Sequence, residues 1–233
     1  MKYISNLYQN INKYINPWTH SEKEPLADAS WKLILNKNEI DKCVELCATK
    51  INSRYQGKRV VIVCILKNAI YFFTDLTRKL TIPHSVYFIE ASYYRDQQTY
   101  DANIESLSKI IPSKFTGKHV VIIDELYDNN IMMHVKNAIK EQAGVSEDYI
   151  YICTLFLKYN KVKNHTETEP NFYAIRVPDV KLVGYGLDDQ QEKRNLNCLY
   201  VCPKDENITK IDDNYYYYYS GNNLISTINF CSA

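Results

Sequence analysis

The chain has 233 residues, enough for one ordinary domain with a sizeable core and extensions at its ends. Its charges nearly cancel, at +1 with a pI near 7.5, which argues against nucleic acid or an anionic membrane surface as a partner. No apolar run reaches the roughly 18 residues that a membrane span needs, and the seven cysteines lack zinc-site spacing, as in Cys43-x-x-x-Cys47 and Cys198-x-x-x-Cys202, so buried free thiols in a reducing compartment are expected.

In chain order, Ile4, Leu7, Tyr8, Ile11, Tyr14 and Ile15 fall at spacings of three and four, which predicts an amphipathic helix ended by Asn16-Pro17. No acid precedes Glu22, which admits a mitochondrial address as the alternative to a cytoplasmic one, although arginine is absent there and serine scarce. Residues 18–30 read as linker. A helix follows over 38–51, with Ile40, Val44, Leu46, Cys47 and Ile51 turned inward. Residues 59–66 form an apolar strand, 69–80 a helix and 85–90 a strand. Residues 92–112 are polar and weakly patterned, a long loop or ribbon.

Further strands are expected at 118–124, 149–157 and 171–177, with a helix over 130–142 between the first two. A short strand begins at Lys181, and 199–202 closes the core. The alternation of strand and helix from about residue 58 to 157 predicts an α/β fold, a parallel sheet with helices on both faces. Residues 1–30 then form an N-terminal helix and linker, 31–203 the main domain, and 204–233 a tail rich in Tyr and Asn.

The most informative stretch runs from Lys118 to Met133. An apolar strand ends in Asp124 and Glu125, Asp128 follows three residues later, and a helical pattern begins. A buried parallel strand delivers carboxylates in this way to the carboxyl end of a sheet, where open α/β sheets bind ligands. The stretch resembles the ribose-diphosphate (PRPP) motif of the type I phosphoribosyltransferases. Three other segments resemble, in order, the hypoxanthine-guanine (6-oxopurine) branch of that family. Val61 to Leu76 is similar to its strand, pyrophosphate loop and helix, Ile89 to Tyr93 to the start of its mobile catalytic loop, and Val177 to Asp188 with Arg194-Asn195-Leu196 to its purine hood.

That resemblance implies the type I phosphoribosyltransferase fold with a small hood, and a role for each matching residue. Asp124 and Glu125 would bond the ribose hydroxyls, and Asp128 would accept or share the purine N7 proton as the catalytic group. Asn129, Asn130 and Met132 stand in the phosphate cradle. Lys67, Asn68 and Arg194 belong to the pyrophosphate subsite, and Lys158, Lys181 and Leu182 to the purine subsite. Ser92 and Tyr93 sit in the mobile loop, and Asp188 near the metal, Mg²⁺.

Several of these positions depart from the family pattern. Asn129-Asn130-Ile131-Met132 replaces a turn of hydroxyls and glycine, although Asn tolerates the left-handed conformation such a turn needs. Asn68-Ala69 replaces a glycine pair, and Lys181 replaces an aromatic ring. The chain has six glycines, none where a phosphate needs one. These losses predict a catalytically impaired or inactive relative serving as a structural or assembly subunit, which needs no cofactor. Its partner would bind the N-terminal helix or the tail, or a second copy would complete a homodimer. The alternative is an active hypoxanthine-guanine phosphoribosyltransferase that makes IMP or GMP from PRPP with Mg²⁺ in purine salvage.

Overall fold

The computed structural model describes residues 24, 26–90, 92–95, 100–103, 110–127, 129–158 and 170–202. The order is β1 (Lys32–Leu35), α1 (Lys37–Arg54), β2 (Val60–Leu66), α2 (Ile70–Lys79), β3 (His84–Glu90), β4 (Ser92–Arg95), β5 (Tyr100–Asn103), β6 (His119–Leu126), α3 (Asn129–Ala143), β7 (Ile150–Lys158), β8 (Phe172–Val177), β9 (Leu182–Val183) and β10 (Leu199–Val201). The predicted amphipathic helix at 4–15, the tail after 203 and Asp128 lie outside the described residues.

Two compact units divide the chain, residues 44–177 and residues 1–43 with 178–233. The larger holds a five-stranded sheet in the order β3-β2-β6-β7-β8, and every pairing is parallel. Its central strands read Val-Val-Ile-Val-Cys-Ile-Leu and His-Val-Val-Ile-Ile-Asp-Glu-Leu because both of their faces are covered. Val61, Val63, Val120 and Ile122 meet Met132, Val135 and Ile139 of α3 in one core cluster. Each large side chain so buried contributes about 1.5–3 kcal/mol. The polar stretch after β3 forms a ribbon, with Ser92 opposite Asn103 in an antiparallel pair.

Rings gather at the amino end of this sheet. His119, the first residue of β6, lies 4.7 Å from the Tyr149 ring and 5.3 Å from Tyr55 at the end of α1. Arg54 stacks on Tyr151, its guanidinium 4.0 Å from the ring centroid, and donates to that hydroxyl. Burial, then the Lys58 and Arg54 charges, holds the His119 imidazole below its ordinary pKa. The unfolded chain therefore binds this proton more readily than the fold. Stability falls as pH drops below about 6.5 and levels off once the lower folded value is passed. Melting temperatures from pH 8 to 5 should show this slope, and His119→Phe should flatten it.

The smaller unit is a three-stranded antiparallel sheet, β1-β10-β9. β1 was not anticipated, since four residues carry too little periodicity to read. It forms by pairing Lys32 with Val201 and Leu33 with Tyr200, across most of the chain. The expected linker is also structured at its end. Glu24 accepts hydrogen bonds from the backbone N–H groups of Asn197 (2.9 Å) and Cys198 (2.8 Å). Trp31 joins Tyr200, Leu196 and Val183 in a second core. Asn36 and Glu39 form a reciprocal capping box at the start of α1, with bonds of 3.1 and 2.8 Å. All six cysteines among the described residues are buried free thiols.

Candidate active site

In the larger unit the candidate residues collect at the carboxyl ends of adjacent parallel strands. β2 ends at Leu66 and the next peptide, Leu66–Lys67, is cis. Lys67 is exposed, and its Nζ lies 3.9 Å from Glu90 Oε1 at the end of β3. One strand over, β6 carries Asp124 and Glu125, only 6% and 1% exposed. An Asp124 carboxylate oxygen accepts a 2.9 Å bond from the Glu125 N–H, which fixes the two acids relative to each other. Lys158 ends β7, and Thr154 of the same strand stands in register with Asp124.

Two buried carboxylates at a strand end are costly unless bonds and charges compensate them. Their field reaches Cys64, whose thiol is pushed up by burial first and then by Asp124 and Glu125. A scaffold with no use for acids here would be better served by apolar side chains. The Lys67 loop, the acid pair and Lys158 lie at the carboxyl edge of one sheet.

The cradle substitutions differ from expectation. Asn129 and Asn130 form the first turn of α3 and so adopt helical rather than left-handed backbone. Met132 is fully buried in the core with Val135 and Ile139, one turn and two turns further on. Its side chain does not reach an anion seat, so its lack of a hydroxyl deprives no phosphate there. Ala69 is also fully buried, at the start of α2, where its N–H bonds Ile65 O and its carbonyl accepts from Phe73. The added methyl fills core and leaves only Asn68, half-buried, in the loop beside Lys67.

In the smaller unit, Lys181 immediately precedes β9, which Leu182 opens, and a tight hairpin follows. Gly184 and Leu187 exchange backbone bonds of 2.9 and 3.1 Å. Gly184 has φ +100°, and a Cβ there would collide with the Cys198 carbonyl, so only glycine fits. Arg194 closes the loop. It donates to Gly186 O at 2.9 Å and pairs with Asp188 at 2.9 Å. Asp188 also accepts from the Gln191 N–H at 2.8 Å. Lys181 pairs with Asp189 at 2.5 Å while its side chain stays 44% exposed. Its ammonium is thus paired with a carboxylate while keeping part of its solvent contact. Leu182 is buried and serves packing. Glu90 and Asp189, the partners of the two lysines, were not found by reading the sequence. Only the register of β2 with β3 and the hairpin geometry identify them.

A family profile described as "Phosphoribosyl transferase domain" matches residues 30–190. The chain belongs to the phosphoribosyltransferases, in their hypoxanthine-guanine branch. The chain is 26% identical over 174 residues to the hypoxanthine-guanine-xanthine phosphoribosyltransferase of Tritrichomonas foetus, covering 74% of this chain and 91% of that protein. It is 29% identical over 171 residues to the hypoxanthine-guanine phosphoribosyltransferase of Aquifex aeolicus, covering 73% and 93%. Among solved structures, a hypoxanthine phosphoribosyltransferase from Staphylococcus aureus matches with TM-score 0.61 and 26% identity, over 73% of this chain and 90% of that one.

These relatives are named for an enzymatic activity and match over nearly their whole length. That overturns the expectation of an impaired chain kept as a structural or assembly subunit. The physical reason lies in two of the departures that suggested damage. Met132 and Ala69 turn into the core, and a position in an aligned motif does not tell which way its side chain points.

Proposed function

We propose that this chain is a purine phosphoribosyltransferase that transfers 5-phosphoribose from PRPP to hypoxanthine or guanine and releases pyrophosphate. The observation carrying this reading is the buried Asp124–Glu125 pair at the carboxyl end of β6, flanked on neighbouring strands by the Lys67 loop and Lys158. In the reaction the bond from ribose C1′ to the diphosphate oxygen breaks and a bond from C1′ to purine N9 forms. Asp124 and Glu125 would hold the ribose hydroxyls, and Lys158 would read the 6-oxo group. Lys67 would meet the departing pyrophosphate. Asp128 follows the acid pair by three positions and would accept or share the N7 proton.

Mg²⁺ is implied by the family. It binds through one or two carboxylates plus substrate phosphates rather than an all-protein cage. Asp188 suits that habit: its side chain is 25% exposed, and although one oxygen pairs with Arg194 and the other accepts from the Gln191 N–H, each keeps a further lone pair for a cation. It would hold the ion, whose charge offsets that of the diphosphate. Among the described residues no helix is long and apolar enough to cross a membrane. The test is direct: purified chain with Mg²⁺, PRPP and hypoxanthine should form IMP and pyrophosphate in equal amounts. No product at millimolar substrates would overturn the proposal.

A second copy of the chain is the proposed partner. Val86 and Phe88 on the edge strand β3 are 48% and 46% exposed, and Ile70 and Tyr71 of α2 are each 37% exposed. Phe88 meets Phe73 of α2 with ring centroids 5.1 Å apart, which joins strand and helix into one apolar face. A two-fold copy would bury this apolar face against itself. Sedimentation at micromolar concentration should report a dimer, and Phe88→Asp a monomer. A monomeric parent chain would refute the pairing.

A further inference from the structure

Glu90 ends β3 in register with Leu66, the last residue of β2. Parallel pairing therefore sets its side chain beside the residue that follows Leu66, and Glu90 Oε1 lies 3.9 Å from Lys67 Nζ. Glu90 is exposed whereas Ile89 is fully buried, so the acid lies on the strand face opposite Ile89. Both side chains of the pair keep most of their solvent contact, 68% for Lys67 and 63% for Glu90. A contact so wet and so long adds little stability. Its consequence is local: a carboxylate stands beside the one cation of this loop, at the place where a diphosphate would approach.

We propose that Glu90 is a positioning residue that holds Lys67 while the pyrophosphate subsite is empty and competes with pyrophosphate for it. This rests on the reading of Lys67 as a pyrophosphate ligand. Pyrophosphate carries several charges against one on the carboxylate, so it wins the exchange. The competition nevertheless weakens its binding and speeds its departure. Glu90 thus sets the balance between capture of the diphosphate substrate and release of the diphosphate product. At a few ångströms in a high-dielectric setting, the carboxylate is expected to weaken pyrophosphate about three- to tenfold. The effect should fade at high ionic strength.

The experiment is calorimetric titration of inorganic pyrophosphate with Mg²⁺ into the parent chain, Glu90→Gln, Lys67→Ala and the double variant. Glu90→Gln should tighten pyrophosphate about three- to tenfold at an unchanged melting temperature. In the Lys67→Ala background the same substitution should change affinity by less than about twofold, the non-additivity that a shared contact requires. In turnover, Glu90→Gln should lower KM for PRPP without raising kcat, because product leaves more slowly. Glu90→Gln binding pyrophosphate like the parent chain would overturn the inference alone, as would equal tightening without Lys67. A parent chain that binds no pyrophosphate at millimolar concentration would instead bring down the proposed function, and this inference with it.

Discussion

Replacing Asp124 and Glu125 together by Asn and Gln should lower kcat/KM for PRPP by about two to four powers of ten. Each carboxylate is proposed to accept a bond from a ribose hydroxyl, and a bond to a charged group is worth about 1.5–3 kcal/mol. Two such bonds give about 3–6 kcal/mol, which is that range in rate. The same change should leave the fold standing. Asn keeps the oxygen that accepts from the residue 125 N–H at 2.9 Å. Neutral amides also remove the desolvation that two almost fully buried acids must overcome. The melting temperature is therefore expected to hold or rise while turnover collapses. A parallel loss of both would mean that the pair supports the strand end and nothing more. Steady-state IMP formation and scanning calorimetry on one preparation separate the two outcomes.

The acid pair and the strand that carries it share one signal in the sequence. Val120 to Ile123 is an unbroken apolar run stopped by acids, and a strand covered on both faces reads that way at any distance from its partners. The sheet and the acid pair were therefore legible. Residue 132 was read by its place in a motif, as a missing hydroxyl. The helical pattern was available as a second guide: Ile131, Met132, Val135, Ala138 and Ile139 recur at three- and four-residue spacing and all are buried. Alignment and periodicity disagreed there, and periodicity decides where a side chain points. The ion pair of Lys181 was illegible for another reason. Its counter-charge, Asp189, comes to it only because Gly184, Tyr185 and Gly186 all take positive φ and fold the hairpin back. No spacing rule discloses such a pair, nor the pairing of β1 with β10 across most of the chain.

Met132→Thr is accordingly expected to damage the fold rather than restore a phosphate contact. Methionine here touches the core that Val61, Val63 and Ile122 form on the sheet, with no exposed surface. Truncating a buried side chain of this size costs about 2–5 kcal/mol. The threonine hydroxyl would recover part of its burial cost by bonding a carbonyl one turn back, as Thr74 does to Ile70 O at 2.7 Å. A net loss of about 2–4 kcal/mol should lower the melting temperature by roughly 5–15 °C for a chain of this size. Calorimetry with PRPP and Mg²⁺ should show no gain in affinity. Met132→Leu, which keeps volume and apolarity, should cost less than about 1.5 kcal/mol. If Met132→Thr instead kept its melting temperature and bound PRPP more tightly, residue 132 would face the anion and the helix face assigned to it would be wrong.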